Sequence, residues 1–308
     1  MSRIKRAYST PEIEETDLQL TIDNYLEELR RKGIGQYRCK TIISGTVLEV
    51  EVYPLPKLAK GQRRKHENPS RSAQRNLNKA NTRKYVVRLI NSNFTRRDMW
   101  ATLDYRHELI PADEKQAQVD MQNYIRRLKR YTKKHGLPEL KYLYVTEWIE
   151  DTATGKRHAH HHIVMNFTDR DKAEELWGKG FRPQTRRLKP DDFGLSGLGN
   201  YIAKEETKTQ SRQGKKRYGY SKNLDAPTVR LADRKITKRD VAILNENSNE
   251  ARPFFENLYS SYYGNAYSLL DMSIRGSEYH PGTYIYVQMK YTGKSTGREA
   301  RKWKNQRN

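Results

Sequence analysis

A chain of 308 residues is long enough for one sizeable core with extensions or for two small domains, and 35% hydrophobic against 31% charged residues favours a compact core with long polar flanks. The 60 Lys and Arg against 37 Asp and Glu leave a formal charge of +23, an excess that calls for a polyanionic partner, most simply nucleic acid. Cys39 is the single cysteine, which excludes an intramolecular disulfide framework and any Cys-rich zinc module.

The basic start lacks an apolar stretch after it, and no run approaches membrane-spanning length, so a soluble, cytoplasmic protein with no membrane partner is expected. Residues 10–32 predict a short amphipathic helix, with Ile22, Tyr25, Leu26 and Leu29 at helical spacing. Residues 37–53 alternate on both sides of Ser44-Gly45 and predict a hairpin closed by Pro54 and Pro56. Residues 57–84 hold ten Lys or Arg and one acid, Glu67, along a linker and then a helix beginning near Ser70. Such a run fits phosphate contact, with Arg63, Arg64 and Lys65 as DNA-binding candidates, and it equally fits a solvated charge run. Residues 98–105 read as a buried strand. Residues 112–135 read as a long helix stopped by Gly136 and Pro138, with Met121, Tyr124, Ile125, Leu128 and Tyr131 on one face.

The stretch 141–167 then predicts a β-hairpin, its arms rich in aromatic and β-branched residues and its turn at 151–156. Strand alternation puts His158, His160 and His162 on one face and His161 on the other. A hairpin centred between Ala153 and Thr154 sets Glu147 opposite His160 and Val145 opposite His162, although a one-residue slip would turn Glu147 away. Two imidazoles and a carboxylate on rigid strands can hold one divalent cation with coordination positions left for water or phosphate oxygen. A surface strand with solvated histidines explains the hairpin equally well.

Residues 168–177 predict a helix capped by Thr168 and Asp171 and ended by Gly178, and residues 181–188 a short strand. Strand, helix, strand, strand, helix, strand is the split βαβ order of an α+β fold: an antiparallel, ferredoxin-like sheet with helices on one face and the other face open to a substrate. After a loop at 189–194, a further helix is expected, seated by Leu195, Leu198 and Ile202. Tyr201 lies at the edge of that stripe, with Lys204 and Lys208 on the neighbouring polar side. A phenol beside two ammonium groups suits attack on phosphate, because cations favour the phenolate and bind the phosphate it attacks. An ordinary half-buried tyrosine with two solvated lysines fits the same residues.

Taken together, His160-His161-His162 followed by Ile163, Val164 and Met165, the strand Trp100-Ala101-Thr102-Leu103 upstream and Tyr201-Ile202-Ala203-Lys204 downstream resemble the HUH endonucleases. More narrowly, residues 91–208 look like the single-tyrosine replication initiators of rolling-circle phages, plasmids and single-stranded DNA viruses. The resemblance implies that His160 and His162 bind a Mg or Mn ion with Glu147 as the acidic third ligand, that Tyr201 is the nucleophile, and that Lys204 is its motif partner. It implies nicking of a single-stranded DNA origin or hairpin through a 5′-phosphotyrosine, strand rejoining, host replication proteins as further partners, and a phage or plasmid element in a bacterial cell. Arg157 and Lys208 join Arg63, Arg64 and Lys65 as expected DNA contacts. His161 departs from the family's pattern, whose middle position is usually bulky and apolar, and His158-Ala159-His160 is a second frame for the motif.

Residues 209–235 are basic and glycine-punctuated and are expected to form a DNA-contacting loop around Tyr218 and Tyr220. Residues 237–258 predict a helix broken at Pro253, and 283–291 a strand. Tyr259, Tyr262, Tyr263 and Tyr267 form an aromatic patch read as packing, and 290–308 a basic, disordered tail. The expected division is an N-terminal helix, hairpin and basic linker at 1–69, an endonuclease domain at 70–225 and a C-terminal region at 226–308. No Walker-type phosphate loop is present, so a fused helicase is not expected. A relaxase or single-strand transposase of the same chemistry, a water-using metal nuclease, and a non-catalytic nucleic-acid-binding protein with a metal-stapled hairpin remain alternatives.

Overall fold

The hairpin at Ser44-Gly45 forms as expected, with Gly45 at φ 58° in the left-handed region that its turn requires. The computed structural model describes residues 15–57, 71–150, 157–180, 184–203, 218–233, 235–263, 267–276 and 282–293. In chain order the elements are α1 (Glu15–Arg31), β1 (Ile34–Ser44), β2 (Val47–Pro56), α2 (Arg71–Asn93), β3 (Met99–Leu103), α3 (Glu114–Lys134), β4 (Tyr142–Glu150) and β5 (Arg157–Met165). They continue with α4 (Arg170–Trp177), β6 (Gln184–Arg187), α5 (Ser196–Ile202), β7 (Tyr218–Tyr220), β8 (Thr228–Ala232), α6 (Lys238–Glu246), α7 (Ala251–Tyr263), β9 (Tyr267–Gly276) and β10 (Thr283–Tyr291).

The described residues fall into two compact units, one drawn from Met1–Thr41, Glu49–His66 and Val229–Asn308, the other from Ile42–Leu48 and Glu67–Thr228. In the first, the strands run β8-β1-β2-β10-β9, so residues from both ends of the chain build one sheet where the sequence suggests separate regions at 1–69 and 226–308. Tyr259 on α7 is fully buried there and shares a hydrogen bond with the Thr41 hydroxyl at 2.7 Å, the packing role read from the sequence. The helix expected over 237–258 is two helices, separated at residues 247–250 and not at Pro253. Pro253 sits in the first turn of α7, where a missing N–H costs no helical bond. Strands β8 and β9 are not expected from the sequence. Tyr262 and Tyr263 and the tail beyond residue 293 lie outside the described side chains.

The second sheet is antiparallel with strand order β6-β3-β5-β4-β7. Its first four strands, with α3 between β3 and β4 and α4 between β5 and β6, are the expected split βαβ sheet. β7 adds an edge strand from the region read as a loop. α3 begins at Asp113, whose carboxylate accepts from the Gln116 N–H, and α4 ends at Gly178 with φ 66°. The N-cap of α4 is Asp169, which accepts from the Lys172 N–H, and not Thr168 as the spacing suggests.

One face of this sheet packs Met99, Ala101, Leu103, Ile163 and Met165 against α3 and α4. The opposite face, expected to be open, is covered: Val86, Leu89 and Ile90 of α2, with Leu195 and Ile202 at α5, pack on Leu143 and Val164. Val164 and Leu143 are strand residues with no solvated alternative, so an apolar lid is what their burial demands. Helices therefore lie on both faces, and the substrate-facing surface is confined to the end of the sheet that α5 overhangs. Among the described residues no helix is long and apolar enough to cross a membrane.

Candidate active site

The register of β4 and β5 sets Glu147 opposite His160 and Val145 opposite His162, as the hairpin argument requires. The Glu147 carboxylate lies between the two imidazoles, with Oε2 3.5 Å from His160 Nε2 and Oε1 3.4 Å from His162 Nε2. β3 brings a third strand into register, Thr102 opposite His162, and Thr102 Oγ1 is 3.2 Å from His162 Nδ1. With Nδ1–H donated to that hydroxyl, His162 keeps its Nε2 lone pair directed at the carboxylate side of the site. The Trp100 indole lies parallel to the His162 ring, centroids 5.1 Å apart at 8°, so β3 fixes this imidazole both by a hydrogen bond and by a stacked plane.

Tyr201 comes from α5. Its hydroxyl is 3.4 Å from His162 Nε2, and its ring meets both His162 and Trp100 edge-on, at 5.3 Å and 5.9 Å. The side chain is 51% exposed, half in contact with the site and half in water. Its helix is short and is seated by close backbone approach. Gly199 lies against Val87 of α2, where an added Cβ would stand 2.8 Å from Val87 Cα. The buried Asn91 accepts from the Leu195 N–H at 2.7 Å and donates to Ser196 Oγ at 3.1 Å. Arg83 of α2 donates to Asn200 Oδ1 at 2.8 Å, which places a guanidinium one residue from Tyr201. The sequence pattern identifies Tyr201 through its apolar stripe but gives no role to Gly199 or Asn91. The buried polar side chain near the end of α2 and the GLSGLG spacing are the signals that carry them.

His161 faces away from this site. It is fully buried, hydrogen-bonded to Tyr105 OH at 2.8 Å and to Thr146 Oγ1 at 2.9 Å, and it packs edge-on to Trp177. Burial, with the neighbouring imidazoles His160 and His162 adding to it, holds its pKa down to about 3. It is a neutral core residue that spends both ring nitrogens on hydrogen bonds, which explains how a polar side chain can occupy the middle of the motif. Burial first, then Asp120 nearby, pushes the Tyr105 phenol upward, so this pair exchanges no charge near neutral pH.

Among the described residues no group of three or more His, Cys, Asp or Glu is drawn up as a ready metal cage. The donor chemistry nonetheless fits a divalent cation: two imidazole Nε2 atoms converge on opposite oxygens of one carboxylate, and one of the imidazoles has its second nitrogen held by a hydroxyl. Glu147, His160, His162 and Tyr201 are thus brought together. Lys204, Lys208, Arg63, Arg64 and Lys65 lie outside the described residues. Arg157 opens β5, and neither its side chain nor that of His158 is described.

A split βαβ sheet with a His-x-His pair and a carboxylate on adjacent strands, facing a half-exposed tyrosine on a following helix, is the architecture of a site built to act on a phosphate ester. Residues 98–210 match the family model of the replication-associated proteins of the ORF2 and gene II protein type, a stretch that opens just before β3 and takes in Trp100, Thr102, Glu147, His160, His162 and Tyr201. No curated protein and no solved structure matches the chain.

Proposed function

We propose that this protein initiates rolling-circle replication by nicking single-stranded DNA at an origin or hairpin and rejoining it, with Tyr201 as nucleophile and Glu147, His160 and His162 as ligands of a Mg or Mn ion. The observation that carries the reading is the 3.4 Å approach of the Tyr201 hydroxyl to His162 Nε2, on the face where Glu147 joins both histidines. A nucleophile and a histidine-carboxylate cluster share one small surface. A structural tyrosine would have no reason to be half exposed there.

The bound cation would polarise the scissile phosphate and draw charge from its oxygens. Tyr201, rigidly based through Gly199 and Asn91, presents its phenolic oxygen to the phosphorus, and its proton passes to the water that reaches the exposed half of the ring. The new O–P bond forms as the bond to the 3′ oxygen breaks, leaving a 5′-phosphotyrosine and, once protonated, a free 3′-hydroxyl. That hydroxyl can prime synthesis. Because the ester retains the energy of the broken phosphodiester, attack by another 3′-hydroxyl reseals the strand and returns Tyr201 without a nucleotide cofactor. Lys204 is assigned to the phosphate that the phenol attacks, and Lys208, Arg157, Arg63, Arg64 and Lys65 to the DNA backbone.

The test combines the protein, Mn and a pool of single-stranded oligonucleotides labelled at either end, resolved on a denaturing gel beside Tyr201→Phe and His160→Ala. The expected result is a label that migrates with the protein only when it lies 3′ of the cut, and only when Tyr201 is present. Equal cutting by Tyr201→Phe, with no protein attached to DNA, would replace this reading with a water-using nuclease.

A further inference from the structure

On the face of the second sheet that turns away from Tyr201, a cavity of about 330 Å³ opens where α3 meets β4 and the edge strand β7. Its walls include Arg126 and Lys129 of α3, Tyr142 and Tyr144 of β4, and Gly219 and Tyr220 of β7. The two β4 rings are stacked, 6.2 Å apart at 29°, and Lys129 Nζ stands 5.6 Å from the Tyr142 centroid. Gly219 is required here: an added Cβ would come within 2.4 Å of the Tyr144 ring, so the glycine lets that ring lie on the edge strand.

The chemistry of this notch is one-sided. Arg126 and Lys129 are exposed, and among the described residues neither has a carboxylate partner. With Gln122 and Lys133 they fall at i, i+4, i+7 and i+11 of α3, a single exposed line that leads away from the tyrosines. Burial pushes the phenols of Tyr142 and Tyr144 above their ordinary range, so both remain uncharged at neutral pH and offer a π face without repelling phosphate. Aromatic faces beside unpaired cations are what an unpaired base and its flanking phosphates require, and a cavity near the small end of ligand pockets, about 300 Å³, excludes a base pair.

The geometry points to a second single-stranded DNA site, separate from the cleavage site, in which one unpaired base enters the Tyr142–Tyr144 notch and the adjoining backbone follows Arg126, Lys129 and Lys133. It lies across the sheet from Glu147, His160 and His162 and uses none of them. Its occupation does not depend on cleavage at Tyr201.

Photo-cross-linking of the full-length protein to oligo(dT) carrying 5-iodouracil, followed by peptide mapping, tests it directly. Cross-links at Tyr142 or Tyr144 are expected, with competition by unlabelled oligo(dT) and not by duplex DNA. Arg126→Glu with Lys129→Glu should weaken oligo(dT) binding roughly tenfold or more and lower its salt dependence, with an unchanged melting temperature showing that the fold is kept. Cross-links confined to other regions, or affinity unchanged within twofold in the folded double variant, would overturn the inference, as would cross-linking at the notch by oligo(U) alone. Adduct formation at Tyr201 is scored in the same samples. An adduct without notch cross-links removes this site and leaves the cleavage reading standing.

Discussion

Gly199 on the tyrosine helix and Val87 on α2 are in direct backbone contact, so close that a Cβ at residue 199 would stand 2.8 Å from Val87 Cα and 2.9 Å from its Cγ2. Gly199→Ala should therefore push α5 off its seat, at a cost of about 1–3 kcal/mol in stability, the usual range for overpacking. The displaced helix carries Tyr201, so covalent adduct yield should fall further than the loss of folded protein explains. Val87→Ala added to Gly199→Ala removes the Cγ2 clash and leaves the Cα clash, so recovery should be partial. Thermal melts and adduct gels on the two proteins measure both effects. Full activity in Gly199→Ala would refute the seating argument.

The contrast between this contact and the hairpin shows what was legible in the sequence. Glu147 could be set against His160 because the pleat repeats every two residues and one turn fixes the pairing. The order of β3, α3, β4, β5, α4 and β6 could be read because each has its own period and stop signals. The coverage of the second face by α2 and α5 could not: the basic stretch 57–84 dominates that part of the chain, and only the apolar run at its end marks a buried helix. The joining of the two chain ends into one sheet was equally hidden, since nothing in the alternation of β1 or β10 says which distant strand lies beside it. Thr102 and Trp100 were visible as strand residues. That they grip His162 depends on a β3–β5 register between strands 60 residues apart.

Asn91 offers a second test of the same seat. It is buried, and its side chain satisfies both the Leu195 N–H and Ser196 Oγ. Asn91→Leu keeps the volume but leaves a buried N–H without an acceptor, which should cost about 1–3 kcal/mol. Urea unfolding should show this as a lower midpoint with an unchanged slope. An unchanged midpoint would mean that α5 holds its position without the bond.

Asp98, just before β3, gives a pH signature. It is buried and accepts from both the N–H and the hydroxyl of Thr95, yet burial outweighs these bonds and the nearby Arg187 and Lys141, and its pKa is raised. A raised carboxyl binds its proton more tightly in the folded chain than in the unfolded one. Its stabilising contribution is thus complete below the ordinary carboxyl range and is lost as pH rises through the folded value. Asp98→Asn removes the titration and keeps an acceptor for the Thr95 N–H. The stability of wild type relative to Asp98→Asn should therefore decline as pH rises from the ordinary Asp range through the folded pKa, then level off. A difference that grew in favour of wild type over that interval would show that the hydrogen bonds dominate.

The sharpest test of the metal reading uses Thr102, which touches neither Tyr201 nor Glu147 through any bond described above but holds His162 Nδ1 at 3.2 Å. Thr102→Val preserves shape and β-branching, so the strand and its packing should survive. It removes the oxygen that fixes the imidazole tautomer with Nε2 turned to the site. If His162 is a ligand, Mn affinity should fall roughly 10–100-fold, the usual effect of deleting such a supporting hydrogen bond. Thr102→Ser restores an oxygen without the methyl group and should recover most of the loss. Mn binding followed by electron paramagnetic resonance reads this without any DNA. If Thr102→Val bound Mn as wild type does while His160→Ala did not, His162 would be placed outside the coordination sphere, and its approach to Tyr201 would have to be explained as positioning of the phenol alone.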